Sequence, residues 1–352
     1  MASTYAWQST GNSTALERVT IERRDLRADD IAVRVDYCGV CHSDLHAIHG
    51  MTGKATEGLV PGHEFTGTVT ATGPEVTGFA VGDLVAVGTV VDSCGECAMC
   101  RIGQENFCYQ GPITTYGSVN KGGYSRAYVV RERFAYLLPT GLDPAAAAPL
   151  MCAGITMWEP LRAAGIGAGS RVAVAGLGGL GHLGVKLAVA LGAEVTVLSR
   201  TPDKAGDAPA LGAADLLLTT DESRMKEAVG RFDLILDTIA APHDFSPLLR
   251  LVGLDGTLSV LGYPMPAEVR ILDLTFGRKN LTSSGTGGTR YTAELLSFAA
   301  EHGITADIEL LPSSRVEEAL NRLEKGDVRY RFVLDMADLD VVHNAELSTG
   351  RP

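Results

Sequence analysis

The stretch Arg171-Val-Ala-Val-Ala-Gly176-Leu-Gly178-Gly-Leu-Gly181 decides the fold of this chain. It places the pattern GxGxxG directly after a short apolar strand and ahead of a helical run that ends at Leu191. In that setting the first glycine permits a tight turn, the second lets backbone N–H groups approach a pyrophosphate, and the third lets the helix pack closely on the strand. The motif therefore predicts a dinucleotide at the helix N-terminus, and a glycine-rich turn of another α/β fold is the less favoured interpretation.

Alternating strands and helices continue from this motif. Predicted strands at 172–175, 195–198, 216–218, 232–236, 257–261 and 281–284, with helical segments between most of them, indicate an α/β fold with a doubly wound parallel sheet of six strands. Upstream, short apolar runs with frequent glycine-containing turns predict an irregular β domain. After Gly285 we expect helices at 292–302 and 314–323 and strands at 307–310 and 329–335 that return to the first domain, then a peripheral tail at 337–352.

The composition is that of an ordinary globular protein. The chain has 352 residues, enough for two domains, and its 30 basic and 42 acidic side chains give a net charge of −12. That charge argues against nucleic acid and anionic membranes as partners and favours a small molecule. No apolar run reaches the ~18 residues of a membrane span. Because Glu17, Arg18 and Glu22 stand where a secretory signal would be apolar, we expect a cytoplasmic protein.

Four of the seven cysteines lie close together. A chain without an export signal uses cysteines for metal binding or catalysis rather than for disulfides. Cys94, Cys97, Cys100 and Cys108 supply four thiolates from one loop, and a closed tetrahedron of soft ligands suits Zn²⁺. The spacing therefore predicts a structural zinc site and disfavours the alternative that these are incidental core cysteines.

A second set of metal ligands is distributed over the chain. Cys41, His63 and Cys152 are weak evidence one at a time, because a lone loop histidine or a cysteine in an apolar run is more often structural. Together they would offer two thiolates and a neutral imidazole, which balance the charge of Zn²⁺ and leave its fourth position open to substrate. The set predicts a catalytic zinc that stabilises an alkoxide.

The end of the second predicted strand of the sheet selects the coenzyme. An acid that binds the adenosine ribose of NAD would stand ~20 residues after the first glycine, and Ser199 lies 23 residues after Gly176, followed by Arg200. A hydroxyl and a guanidinium suit a 2′-phosphate. Asp203 is the rival, but after Thr201-Pro202 it looks like an acid in the first turn of a helix. NADP is therefore favoured over NAD.

Together these motifs resemble those of the zinc-dependent medium-chain alcohol dehydrogenases, and within them the cinnamyl alcohol dehydrogenase-like branch. The resemblance covers nearly the whole chain. It rests on Tyr37-Cys-Gly-Val-Cys-His-Ser-Asp-Leu-His46, Val60-Pro-Gly-His-Glu64, the four-cysteine loop, Ala148-Pro-Leu-Met-Cys-Ala-Gly-Ile-Thr156, the glycine motif and Gly326-Asp-Val-Arg-Tyr-Arg-Phe-Val-Leu334. It implies a GroES-like catalytic domain of residues 1–154 and 286–352 with both zinc sites, a Rossmann NADP-binding domain at 155–285, and a homodimer joined through the Rossmann sheets.

The resemblance also implies a role for individual residues. Cys41, His63 and Cys152 would bind the catalytic zinc, and the four-cysteine loop the structural one. Ser43 would take the alcohol proton and pass it through the nicotinamide ribose toward His46. Asp44 would orient the zinc-ligand imidazole, and Glu64 would be an occasional alternative ligand. The implied coenzyme contacts are His42, Thr156, Gly176, Gly178, Gly179, Leu180, Gly181, Ser199, Arg200 and Lys204.

The resulting hypothesis is a zinc-dependent NADP(H) alcohol dehydrogenase or aldehyde reductase that transfers hydride directly between coenzyme and a primary alcohol or aldehyde, with two zinc ions per subunit. One alternative is an NADPH-dependent reductase of iminium or activated C=C bonds that does not use zinc as a Lewis acid. Another is a non-enzymatic zinc- and nucleotide-binding protein. The branch usually has a pocket aromatic between His46 and Pro61, whereas Ala47 to Val60 contains Met51 and no aromatic, so the substrate is left open.

Overall fold

A computed structural model describes residues 2–11, 13–51, 57–117, 120–263 and 267–340. The chain divides into two compact units, one of Met1–Arg101, Phe107–Met151 and Asp307–Pro352 and the other of Ile102–Asn106 and Cys152–Ala306. The strands are β1 (Ala2–Ser9), β2 (Leu16–Arg23), β3 (Asp30–Val40), β4 (Phe65–Thr72), β5 (Leu84–Val87), β6 (Val90–Asp92), β7 (Ile113–Thr114), β8 (Ala127–Arg131), β9 (Ala135–Leu137), β10 (Arg171–Ala175), β11 (Glu194–Ser199), β12 (Asp215–Leu218), β13 (Phe232–Asp237), β14 (Val252–Val260), β15 (Asn280–Ser283), β16 (Ile308–Pro312) and β17 (Arg331–Asp335). The helices are α1 (His42–Ile48), α2 (Ala98–Arg101), α3 (Pro144–Ala147), α4 (Ala153–Ala163), α5 (Gly181–Ala190), α6 (Asp207–Ala210), α7 (Glu222–Glu227), α8 (Ser246–Leu251), α9 (Ile271–Thr275), α10 (Thr289–His302) and α11 (Val316–Glu324).

The first unit is built on a seven-stranded mixed sheet. Its order is β16-β17-β3-β4-β5-β9, with β8 also paired to β3. Strand β3 alternates in the way a half-buried strand requires, because Ile31, Val33 and Val35 are buried while Arg34 is exposed. These side chains belong to an apolar core that includes residues of β4, β5 and β17. The irregular β domain expected from the sequence is therefore present.

The C-terminal segment completes this sheet. Strand β17 pairs antiparallel with β3, and β16 pairs parallel with β17, as expected from the return of the chain to the first domain. The compact units nevertheless divide at 306/307, whereas the sequence suggested 285/286. The reason is helix α10, which packs against α4 of the second unit, where the rings of Trp158 and Phe298 have centroids 4.7 Å apart.

The second unit contains the predicted parallel sheet. Its six strands have the order β12-β11-β10-β13-β14-β15, and every neighbouring pair is parallel. The chain leaves β10 toward one edge and then returns to continue from β13 toward the other edge. The carboxyl ends of β10 and β13 therefore flank the position where open α/β sheets bind their ligands.

Two features of the termini were not predicted. Strands β1 and β2 form an antiparallel hairpin. The start of the predicted peripheral tail is ordered instead, because Met336–Asp340 forms a 3-10 helix in which Met336 and Leu339 are buried. Residues 341–352 of that tail lie outside the described part of the chain. Among the helices described, none is both long and apolar enough to cross a membrane.

Candidate metal and coenzyme sites

The structure brings together the three ligands proposed for the catalytic zinc. The ligand atoms of Cys41, His63 and Cys152 all lie within 4.8 Å of one another. Cys41 and His63 belong to the first unit, and Cys152 is the residue that directly follows its segment Phe107–Met151. Two thiols and one imidazole at this spacing fit Zn²⁺, and a set of three protein ligands is the usual composition of a catalytic zinc site.

Strand β3 and helix α1 position the first ligand. Strand β3 ends at Val40, and Cys41 is the N-cap residue of α1. The backbone N–H of Cys41 donates to the carboxylate of Asp44 at 3.0 Å, as in a capping box. The thiol is therefore held at the point where strand turns into helix, with little freedom of the backbone.

Asp44 connects both halves of the ligand set. Its Oδ1 accepts from the Gly62 backbone N–H and from His63 Nδ1, each at 3.0 Å. Its Oδ2 accepts from Cys41 N–H at 3.0 Å and from the Tyr124 hydroxyl at 3.3 Å. Because Nδ1 faces the carboxylate, Nε2 of His63 is the nitrogen that would bind a metal. Burial lowers the pKa of His63, but the charge of Asp44 outweighs it and raises that pKa well above its usual value.

A buried ion pair lies directly after His63. Glu64 accepts a hydrogen bond from Arg331 of β17, and both side chains are almost fully buried. Burial raises the pKa of Glu64 to about 8, although the charge of Arg331 lowers it. Among the described residues, none makes a hydrogen bond to its Oε2, which leaves one carboxylate oxygen available for the ligand role that the resemblance implies.

The two proposed relay residues share one helical turn. Ser43 and His46 are three positions apart in α1, so their side chains project from the same face. Ser43 is exposed, with its hydroxyl 3.7 Å from the Cys41 sulfur, and His46 is half-buried. The ring of His42 lies 6.4 Å from that of His46. Ser43 can therefore meet a substrate beside Cys41, and His46 can exchange a proton with solvent.

The four-cysteine loop is arranged for a metal. The sulfur atoms of Cys94, Cys97, Cys100 and Cys108 lie within 4.8 Å of one another. Backbone N–H groups of Tyr109 and Cys100 lower the pKa of Cys97 to about 6, so this sulfur is a thiolate at neutral pH. Four sulfurs without a further ligand position fit the closed tetrahedron of a structural zinc.

The glycine motif has the geometry that dinucleotide binding requires. Gly176 follows β10 with φ +89°, and a Cβ there would lie 2.7 Å from the hydroxyl oxygen of Thr238. Gly178 is exposed, and a Cβ there would meet no described atom within 4 Å. A Cβ on Gly181, the first residue of α5, would overlap the carbonyl oxygen of Gly176. Contacts within the protein therefore require glycine at positions 176 and 181. At position 178 they do not, and the space beside the backbone there is open to a ligand.

The residues predicted to select the coenzyme lie at the carboxyl end of β11 or just after it. Ser199 is the last residue of β11 and exchanges hydrogen bonds with the backbone of Thr201. Arg200 is exposed and Lys204 half-buried. The rival Asp203 lies in the first turn of the 3-10 helix Pro202–Lys204, as expected from the preceding proline. Gly179 and Leu180 complete the glycine loop and are half-buried.

Thr156 differs from the other proposed coenzyme residues. It is buried in α4, and its hydroxyl accepts a hydrogen bond from the backbone N–H of Thr286 at 3.1 Å. Its side chain therefore already has a structural contact within the second unit.

Three residues beside the sites were missed from the sequence. Arg331 gave one signal, a cation directly before the apolar residues Phe332 to Leu334 of β17, because a charge that is buried with such a strand requires a partner. Tyr124 and Thr238 gave none, because a tyrosine after two glycines and a threonine after a strand are common. Their roles depend on contacts with Asp44 and with the carbonyls of Ala175 and Gly176.

Comparisons with known proteins cover both units. Residues 27–140 match the family described as Alcohol dehydrogenase GroES-like domain, and residues 179–301 that described as Zinc-binding dehydrogenase. A probable formaldehyde dehydrogenase of Bacillus subtilis is 45% identical over 330 residues, 92% of this chain and 95% of its own. NADP-dependent alcohol dehydrogenase C of Mycobacterium bovis is 44% identical over 346 residues, 96% of this chain and 100% of its own. The solved structure of a cinnamyl alcohol dehydrogenase from Sorghum bicolor has a TM-score of 0.91 at 40% identity, covering 95% of this chain and 98% of its own.

Proposed function

Because the chain belongs to the zinc-dependent medium-chain alcohol dehydrogenase family, we propose that it is an NADP(H)-dependent enzyme that interconverts primary alcohols and aldehydes. The observation that carries the proposal is the convergence of Cys41, His63 and Cys152, which are far apart in sequence. A zinc ion held by three protein ligands keeps an open position, which a purely structural zinc does not need. The chain also matches both domains of the family, so we favour an enzyme over a structural protein.

The first unit supplies the metal and proton chemistry. Zinc held by the three ligands would act as a Lewis acid on the oxygen of the C–O bond that changes. Asp44 keeps Nδ1 of His63 hydrogen-bonded and so fixes the imidazole orientation. In oxidation the Ser43 hydroxyl would accept the proton of the substrate hydroxyl while donating its own toward the nicotinamide ribose, and His46, one turn further along α1, would pass a proton on to solvent.

The second unit binds the coenzyme. NADP(H) supplies or accepts the hydride, and the N-terminus of α5 with the loop from Gly176 to Gly181 receives its pyrophosphate. Ser199, Arg200 and Lys204 bind the 2′-phosphate at the end of β11. This assignment agrees with the name of the Mycobacterium bovis relative, an NADP-dependent alcohol dehydrogenase.

The decisive test compares two single variants, Cys152→Ser in the proposed catalytic site and Cys100→Ser in the proposed structural site. We expect the wild-type protein to contain two zinc ions per chain, and each variant to contain one. Cys152→Ser should lose most turnover while its circular dichroism and unfolding transition stay close to those of the wild type. Full activity of a Cys152→Ser protein with one zinc would refute the proposal.

A substrate panel tests the alternative reaction. Aliphatic, benzylic and terpenoid aldehydes should be reduced with NADPH, whereas α,β-unsaturated carbonyls should lose the C=O bond and keep the C=C bond. Reduction of the C=C bond alone, with unchanged rate in Cys152→Ser, would establish the alternative reductase instead.

A homodimer through the second unit is part of the proposal. Strand β15 is an edge of the six-stranded sheet and most of its residues are exposed. The nearby side chains of Leu254, Ile271, Leu272 and Phe276 are also exposed, and an open strand edge with apolar neighbours favours pairing with a second copy. Light scattering should give twice the chain mass, and Phe276→Lys should shift the protein toward the monomer.

A cytoplasmic location is proposed from the cysteines. None of the seven, all within the described residues, forms a disulfide, and the six other than Cys38 are needed as thiolates for the two metal sites. A reducing compartment preserves them. Fractionation of cells that express the protein should therefore place its activity with the cytosolic markers.

A further inference from the structure

A buried tyrosine contacts the carboxylate that orients the zinc-ligand histidine. Tyr124 is fully buried in the first unit, and its hydroxyl donates to Oδ2 of Asp44 at 3.3 Å. Among the described residues, Cys41, Gly62 and His63 also donate to the Asp44 carboxylate, and each is a proposed zinc ligand or the residue next to one. Tyr124 is thus the donor that comes from a different part of the chain.

We infer that Tyr124 is a positioning residue for the catalytic zinc, acting on His63 through Asp44. The inference rests on the proposed function, since it assumes a zinc ion at Cys41, His63 and Cys152. Tyr124 touches neither substrate nor coenzyme in this role. Its hydroxyl donates to Oδ2 beside the Cys41 N–H, and this second bond restrains rotation of the carboxylate and helps to keep Oδ1 directed at His63 Nδ1.

The backbone around Tyr124 is locked to the segment that carries His63. Three hydrogen bonds join them, from Gly122 N–H to the Val60 carbonyl at 2.7 Å, Gly123 N–H to Gly62 at 2.8 Å and Tyr124 N–H to Pro61 at 2.9 Å. The two segments approach so closely that a Cβ on Gly62, where φ is +95°, would lie 2.6 Å from the Tyr124 backbone nitrogen. Residues 60–62 and 122–124 must therefore move as one piece.

A buried arginine holds this piece from the other side. Arg23, at the end of β2, donates to the carbonyls of Lys121, Gly122 and Ala127 and to the hydroxyl of Ser125. A guanidinium has five N–H donors in a rigid fork, so a single side chain can fix several carbonyls at once. Arg23 therefore fixes the loop from residue 121 to residue 127 at both ends, and Tyr124 between them bonds it to Asp44.

The expected consequence concerns metal affinity more than folding. Replacement of a group that orients a metal ligand typically weakens metal binding by about 10- to 100-fold. Tyr124 acts one step further out, through Asp44, so we expect the lower end of that range, about 10-fold. The four cysteines of residues 94–108 form a separate set of ligands, so we expect their zinc to be unaffected.

Tyr124→Phe tests the inference, with Tyr128→Phe as the matched control. Tyr128 is also buried in the first unit, and its hydroxyl donates to the Thr115 carbonyl at 2.8 Å. Each variant loses one buried hydroxyl and one hydrogen bond while keeping the ring, but only Tyr124→Phe alters the surroundings of Asp44. Both should fold, and their unfolding temperatures should be similar.

Two quantities are measured. The first is the release of zinc from the purified holoenzyme to a chelator, and the second is the visible spectrum after Co²⁺ replaces the zinc at Cys41, His63 and Cys152. Tyr124→Phe should release one of its two zinc ions about 10-fold more readily and show a changed Co²⁺ spectrum and a lower kcat, with the KM for NADPH unchanged. Tyr128→Phe should match the wild type in all of these. Equal zinc affinities and spectra in the two variants would overturn the inference alone, whereas a wild-type protein with only one zinc would overturn the proposed function as well.

Discussion

Gly178→Ala separates the folding of the glycine loop from its ligand. A Cβ at position 178 meets no described atom within 4 Å, and the residue does not have the left-handed backbone of Gly176. An alanine therefore fits the free protein without strain. Because alanine also restricts the unfolded chain, the free energy of unfolding should stay the same or rise by about 0.4–1 kcal/mol.

The effect on coenzyme binding should be large by comparison. A pyrophosphate that lies against the backbone at position 178 would be pushed away from its N–H donors by the added methyl group. A hydrogen bond to a charged group contributes about 1.5–3 kcal/mol, and 1.36 kcal/mol corresponds to a tenfold change. The Kd for NADPH should therefore rise about 10- to 150-fold if one such bond is lost.

Gly176→Ala is the matched comparison. At φ +89° an alanine is strained by about 1–3 kcal/mol, and its Cβ would displace the Thr238 hydroxyl, which donates to the Ala175 carbonyl at 2.8 Å. This variant should lose stability as well as NADPH binding. Urea denaturation and calorimetric titration with NADPH measure both quantities for each protein. A folded Gly178→Ala protein that binds NADPH as tightly as the wild type would refute the reasoning.

Three further changes have defined outcomes. Arg200→Asp should lower the ratio of kcat/KM for NADPH over NADH about 10- to 100-fold, since one charge-assisted bond to phosphate is lost; equal efficiencies in the unmutated enzyme would contradict the assignment. Cys100→Ser should lower the unfolding temperature and remove one zinc without changing the Co²⁺ spectrum of the other site; a changed spectrum would show that the sites are coupled. Asp30→Asn should destabilise the protein by about 2 kcal/mol at pH 7, because Arg24 and Arg27 outweigh burial and lower the pKa of this buried carboxyl. A carboxyl whose pKa is lowered by folding stabilises the fold at a pH above its pKa in the unfolded chain, and this stabilisation is lost as the pH falls through its pKa in the folded protein. In urea titrations the difference in free energy of unfolding between wild type and Asp30→Asn should therefore shrink in acid. A difference that does not change with pH would exclude the Arg24–Asp30 ion pair as its cause.

The sequence predicted best what depends on local pattern. The six strands of the parallel sheet were found because five of them contain short apolar runs and most alternate with helical segments, and all six pair as expected. The proposed zinc ligands were identified from residue type, from the spacing of the four cysteines and from the family resemblance, and the ligand atoms of each set lie within 4.8 Å of one another. The β1–β2 hairpin was missed because Leu16–Arg23 is rich in Glu and Arg, which indicate strand poorly.

Contacts between distant residues could not be predicted. Arg331 and Glu64 are 267 positions apart, and their pairing depends on β17 lying beside β3. The second compact unit likewise extends to Ala306, past the domain boundary proposed after residue 285, because α10 packs against α4 through a contact that the sequence of α10 does not reveal. Local periodicity specifies elements, but the choice of neighbour depends on packing.

Two buried charges explain why the support of His63 is also non-local. Arg23 and Asp44 are both buried, and a buried charge is tolerated only when several polar groups surround it. Arg23 therefore fixes three carbonyls, and Asp44 collects four donors, with the loop that contains Tyr124 bonded to both. The Cys41 and His63 motifs supply donor atoms for a metal, but their orientation is set by a loop more than fifty residues away in sequence. The same two motifs placed in a chain without that loop should bind zinc more weakly and with a less defined geometry.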